Sequence, residues 1–165
     1  MNLFARGLGG FISDVVNFQY GMKGRIWAHT IILALEGILV LIFANTNSLG
    51  GAIIVLVFFS LFVQAAEGTS YGIVPYVDQP NTGSVSGIVG AGGNVGAVCF
   101  GLGFRELDYK KAFLLMGLSI LASCFLSIFL VIKGHAGLIF GEEAEPLVDD
   151  DSESSEEDDH RRREE

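Results

Sequence analysis

Gly83-Ser84-Val85-Ser86-Gly87-Ile88-Val89-Gly90-Ala91-Gly92-Gly93-Asn94-Val95-Gly96-Ala97-Val98-Cys99-Phe100-Gly101-Leu102-Gly103 is the stretch that decides the fold. Eight of its twenty-one residues are glycine, and no charge interrupts it. In water such a run does not hold a helix, because each interior glycine costs about 1 kcal/mol relative to alanine. In a bilayer the argument reverses. Unsatisfied backbone groups are so costly in hydrocarbon that a spanning segment stays helical, and small residues then admit a close neighbour. Gly83, Gly87, Gly90, Asn94, Ala97 and Gly101 alternate steps of four and three, so they share one helical face. Gly92, Gly96, Gly103 and Cys99 follow an adjoining stripe. Two uses fit this surface: tight static packing, and sliding or rocking against partner helices. The glycine density and the amide of Asn94 on the stripe favour the second.

Composition agrees with a membrane setting. Of 165 residues, 50% are hydrophobic, and several runs reach the ~20 apolar residues that a spanning helix needs. The net charge of −9 is unevenly placed. Residues 1–133 carry seven Lys/Arg against six Asp/Glu, whereas residues 134–165 carry three arginines against thirteen acids. A nearly neutral membrane body therefore ends in an acidic tail too charged to fold alone, and nothing in this pattern suggests nucleic-acid binding. Ser154 and Ser155 of that tail precede acids at the third position, a pattern that acidophilic kinases favour. Cys99 and Cys124 both fall in apolar segments and read as buried thiols rather than a disulfide.

The boundaries expected from hydropathy are helices over 26–45, 49–76, 83–104 and 112–132. Asn45-Thr46-Asn47-Ser48 and Asp78-Gln79-Pro80-Asn81 are the turns, and 105–111 is a charged loop. The opening stretch, residues 1–16, is apolar apart from Arg6, Ser13 and Asp14, and is short for a span. It reads as part of a helix. The expected fold is thus an all-α membrane protein with about four full transmembrane helices plus a truncated first one. Loop charge does not orient it, since three Lys/Arg fall on each side.

Several passages resemble one family. Asn2-Leu3-Phe4-Ala5-Arg6-Gly7-Leu8-Gly9-Gly10 with Ser13-Asp14 looks like the eighth helix of the nitrate/nitrite porters, a branch of the major facilitator superfamily. Gly21-Met22-Lys23-Gly24-Arg25 is similar to their adjoining cytoplasmic loop. Gln64-Ala65-Ala66-Glu67-Gly68-Thr69-Ser70-Tyr71-Gly72-Ile73-Val74-Pro75-Tyr76 resembles their tenth helix, and Ser86 to Gly96 resembles the second nitrate signature on the eleventh. The match runs in order over roughly residues 2–133. It implies the C-terminal portion of a twelve-helix, alternating-access transporter in the plasma membrane, entered within helix eight. The N-terminal half would then be supplied elsewhere, and the 134–165 tail would be cytoplasmic.

The resemblance also assigns roles. Arg6 matches one of two arginines, one per half, that bind the anion. Intramembrane arginine marks a functional site by default, and its planar donors suit a flat oxyanion such as nitrate or nitrite. The signature glycines Gly87, Gly90, Gly92, Gly93 and Gly96 would line the pathway, with Asn94 adding a polar contact. Glu36 and Glu67 are the intramembrane carboxylates. Glu67, inside the Gln64–Pro75 motif, is the candidate for carrying a coupling proton, with a structural role as the alternative for both. His29 is expected at the membrane interface. Asp14 is expected to hold a helix–loop junction beside Lys23 and Arg25.

A dinucleotide-binding reading fails, because Val95 stands where G-x-G-x-x-G needs its last glycine and no βαβ unit surrounds it. No nucleophile, base or metal constellation points to an enzyme, and no cofactor is called for. Two functions are carried forward. One is part of a proton-coupled nitrate/nitrite transporter, with nitrate or nitrite, protons and the lipid bilayer as partners. The other is a truncated, non-transporting membrane protein that associates with a full-length transporter.

Overall fold

The computed structural model describes residues 2–130 and residue 132. The acidic tail, with Ser154 and Ser155, lies outside them. The elements described are helical: α1 (Asn2–Asn45), α2 (Leu49–Val77), α3 (Thr82–Glu106) and α4 (Tyr109–Ser127). All four are long and apolar enough to cross a membrane. The chain is an all-α, multi-pass membrane protein.

α1 is two helices meeting at Gly21, whose φ of 62° and ψ of −156° fall outside the helical region. That positive φ suits glycine and reverses the chain in a single residue. The first half therefore runs to residue 20, beyond the expected stop at Val16, and covers ~28 Å at 1.5 Å per residue. The second half starts at residue 22, inside what the sequence suggests is a polar loop. Met22, Gly24, Arg25 and Ile26 are buried there rather than solvated. Gly24 makes the hairpin tight: a Cβ at this position would lie 2.6 Å from the Val16 carbonyl oxygen.

Both halves of α1 pack on α2. Gly9 meets the backbone of Ala65, Gly68 meets that of Arg6, and Ser13 lies beside Gly72, so the first half runs parallel to α2. Arg25 reaches Gly72 and His29 reaches Thr69, so the second half runs antiparallel. Small residues at these contacts are what let membrane helices approach without a hydrophobic driving force. Met22, Ile26, Ile73 and Ile132 form a buried apolar cluster where the hairpin meets α2.

α4 packs on the second half of α1, where Gly37 faces Leu121 and Gly117 faces Leu41. The Thr30 hydroxyl lies 2.8 Å from that of Ser127, and the Cys124 thiol approaches the Thr30 carbonyl at 3.4 Å. Phe113 joins three helices, edge-on to Phe43 at 4.8 Å and to Phe104 at 4.7 Å between ring centroids. The charged loop expected over 105–111 is shorter than its composition suggests. α3 continues to Glu106 and α4 begins at Tyr109, its first turn stabilised by the Ala112 amide donating to the Asp108 carbonyl at 2.9 Å. At the far end the helical ladder closes at Ser127, and residues 128–130 bond three positions back instead of four.

The glycine helix α3 is the least covered element. None of its residues is buried, and nothing lies within 4 Å of a Cβ built at Gly83, Gly87, Gly92, Gly93, Gly96, Gly101 or Gly103. Cys99, expected to be buried, is exposed on this helix, whereas Cys124 is buried; both thiols are free.

Candidate functional site

Arg6 comes from the first half of α1, one helical turn before Gly9 and Gly10. Gly9, against Ala65, and Gly68, against the Arg6 carbonyl, let the backbones of α1 and α2 meet, and the guanidinium thereby reaches Glu67, with Arg6 Nη2 donating to Glu67 Oε2 in an ion pair. The sequence assigns these residues separate tasks and does not foresee their contact. Their side chains remain 49% and 37% exposed, so the pair sits at the edge of the helix cluster with guanidinium donors to spare.

Glu67 also lines a crevice of ≈ 400 Å³ between α2 and α3. Its walls are Glu67, Ser70 and Tyr71 from α2 and Val89, Gly90, Gly93 and Asn94 from α3. The lack of side chains at Gly90 and Gly93 keeps it open, and the Tyr71 hydroxyl lies 3.6 Å from a Cβ built at Gly90. Asn94 donates one amide hydrogen to the Gly90 carbonyl of its own helix at 3.0 Å, leaving its second N–H and its carbonyl oxygen for other partners. Ser70 is similarly tied to the Ala66 carbonyl at 2.9 Å.

Of the residues singled out by sequence, Glu67, Gly90, Gly93 and Asn94 thus share one crevice, and Arg6 is bound to its rim through Glu67. Gly87, Gly92 and Gly96 lie on α3 outside the crevice wall. Tyr71 and Ser70 belong to the crevice too. Their spacing from Glu67, three and four residues along a helix, is the signal that places them there.

A second polar cluster lies beneath. Arg25, expected in a loop, is 4% exposed; it donates to the Gly72 carbonyl and to Asp14, each at 2.6 Å, and stacks over Tyr76 at 5.0 Å. Asp14 accordingly holds the helix junction, as expected. Gly72 makes room, since a Cβ there would lie 2.9 Å from Arg25 Nη1. His29, expected at the interface, instead bonds Thr69 inside the helix cluster at 2.8 Å. The Thr69 hydroxyl also lies 2.9 Å from the Ala66 carbonyl, so one hydroxyl group bridges His29 Nδ1 and the α2 backbone. Glu36 is buried with no ion pair among the described residues. No group of His, Cys, Asp and Glu able to hold a metal occurs among the described residues.

Four helices long and apolar enough to span a membrane, two of them joined by an Arg–Glu pair beside a crevice, define a multi-pass membrane protein with paired charges between its apolar helices. Its homologues are nitrate and nitrite transporters. The chain is 50% identical over 98 residues to nitrate transporter 2.1 of Chlamydomonas reinhardtii, covering 59% of this chain and 18% of that protein. It is 42% identical over 142 residues to high affinity nitrate transporter 2.5 of Arabidopsis thaliana, covering 84% of this chain and 28% of the relative. It is 37% identical over 132 residues to the nitrate/nitrite transporter NrtP of Nostoc punctiforme, covering 78% and 25%. The chain thus spans less than a third of the length of each of these relatives. No family model and no solved structure matches it.

Proposed function

We propose that this chain forms part of a nitrate/nitrite transporter of the major facilitator superfamily. In this reading Arg6 holds the anion, Glu67 carries a coupling proton, and Asn94 with the α3 glycines lines the path. Two halves rock about a midplane site, as in transporters built from repeats. Residues 1–133 form the membrane region, in the plasma membrane, and the acidic tail faces the cytoplasm. The observation that carries the proposal is the convergence of Arg6 and Glu67 beside the Gly90–Asn94 crevice in a homologue of nitrate transporters. Guanidinium supplies the paired, planar donors that a flat oxyanion accepts, and lysine does not.

The test is nitrate uptake by cells expressing the native gene product and its Arg6→Ala variant at matched membrane abundance. Loss of saturable uptake is expected. Retained uptake would remove Arg6 from the anion site.

The bare face of α3 favours a second reading, in which the chain associates with a complete transporter without transporting anything itself. Co-purification with a full-length transporter, combined with no uptake attributable to this chain, would select it.

A further inference from the structure

Glu67 lines the α2–α3 crevice and Arg6 does not, although the two are paired. An anion in the crevice therefore meets the carboxylate before the guanidinium. A carboxylate is itself a planar, delocalised oxyanion of the kind that guanidinium binds through parallel N–H donors. We propose that Glu67 is a tethered stand-in for the transported anion: it occupies Arg6 while the site is empty, and it is displaced as a neutral acid when nitrate or nitrite takes its place. This rests on Arg6 being the anion-binding residue and adds how its occupancy is controlled.

The exchange balances. The resting pair is one guanidinium and one carboxylate, with no net charge. One oxyanion enters, one proton from water binds the Glu67 carboxylate, and the Arg6–Glu67 contact opens. The product is a guanidinium–oxyanion pair beside a neutral carboxylic acid, again with no net charge. Either half-step alone leaves an unpaired charge at membrane depth: a bare Arg6 cation after protonation, or two anions against one cation after nitrate entry. Both are costly in hydrocarbon, so anion and proton are bound together. Coupling arises because the proton acceptor and the anion compete for one arginine.

The groups around Glu67 leave the carboxylate as the acceptor. α1 presents the Arg6 guanidinium. α3 presents Gly90, Gly93 and Asn94, none of which titrates. Its own helix contributes the Tyr71 hydroxyl and Ser70. His29 of α1 is nearby, held on Thr69 two positions along α2, and is the control. Glu67 is itself part of the wall of the ≈ 400 Å³ crevice, so the displaced acid stays beside the anion.

The experiment adds nitrate to the purified native gene product in nanodiscs, in weakly buffered solution, and follows proton uptake alongside nitrate binding. Expected for wild type is one proton taken up per anion, with affinity rising up to about tenfold for each unit of falling pH. A carboxylic-acid band should also appear in the infrared difference spectrum, which needs no variant. Glu67→Gln should bind nitrate with little pH dependence, without proton uptake and without that band, whereas His29→Gln and Glu36→Gln should keep all three signatures. Nitrate binding by wild type with no proton uptake, or pH dependence surviving in Glu67→Gln, would overturn the stand-in role while leaving Arg6 as the anion site. Nitrate binding that survives in Arg6→Gln would overturn both.

Discussion

Gly68 of α2 lies directly against the backbone of Arg6: a Cβ built at Gly68 would overlap the Arg6 carbonyl oxygen and press on the Gly10 amide. Backbone cannot move aside as a flexible side chain can, so Gly68→Ala must push α1 away from α2. Overpacking of this kind costs about 1–3 kcal/mol. Thermal unfolding in detergent should show a clear fall in Tm for Gly68→Ala. Gly92→Ala, where nothing lies within 4 Å, should unfold with the parent. Equal behaviour of the two variants would mean that α1 and α2 do not meet through Gly68.

Arg25 and Asp14 form an ion pair whose partners differ sharply in environment, the side chains being 5% and 68% exposed. Asp14→Asn removes the counter-charge of a buried guanidinium but keeps an oxygen that accepts from Arg25, which also retains the Gly72 carbonyl and the Tyr76 ring, so it should cost about 1–2 kcal/mol. Arg25→Gln loses the charge-assisted bonds at a buried position and should cost about 2–4 kcal/mol, within the range for breaking a buried polar network. Denaturant titration of the two variants gives the ordering, and a larger loss for Asp14→Asn would contradict it.

Sequence made the membrane class legible because apolar length and the glycine stripe report directly on the solvent around a helix. The turns at Asn45–Ser48 and Asp78–Asn81 were legible for the same local reason. The stretch from residue 17 to residue 25 was not. Lys23, Gly24 and Arg25 look like a solvated loop, yet a single positive-φ glycine reverses the chain and carries Arg25 into the interior. No local pattern separates a buried arginine from an exposed one; its partners, Gly72 and Asp14, are 47 and 11 residues away. The site follows the same logic. Arg6 and Glu67 each stood out as charges in apolar helices, but their contact, 61 residues apart in sequence, depends on Gly9 and Gly68 each lying against the backbone of the facing helix.

Gly90 and Gly93 divide the crevice question into a graded test. A Cβ at Gly90 would sit 3.6 Å from the Tyr71 hydroxyl, an ordinary contact, so Gly90→Ala should fold and retain most nitrate uptake. Gly90→Leu adds a branched side chain to the ≈ 400 Å³ crevice beside Glu67 and should reduce uptake at least about tenfold, with membrane abundance unchanged. Uptake and surface labelling measured on the same cells separate a blocked path from lost protein. Full uptake by Gly90→Leu would show that anions do not pass between α2 and α3.

The two cysteines report on what covers α3. Cys99 is exposed on the glycine helix, and Cys124 is buried against the Thr30 carbonyl where α4 meets α1. Within the described residues nothing shields Cys99, so a membrane-permeant maleimide should modify it well ahead of Cys124. Thiolate access governs such reactions. If the α3 face packs against further transmembrane helices, whether from the same polypeptide or a partner, Cys99 becomes protected as they assemble, while Cys124 is slow throughout. Mass spectrometry of the labelled protein before and after solubilisation in a harsh detergent reads the difference: slow Cys99 labelling in native membranes that turns fast on disassembly places a helix over the glycine stripe. Fast labelling in both states would place Cys99 in contact with water rather than under a helix, and the close approach its glycines permit would have no partner.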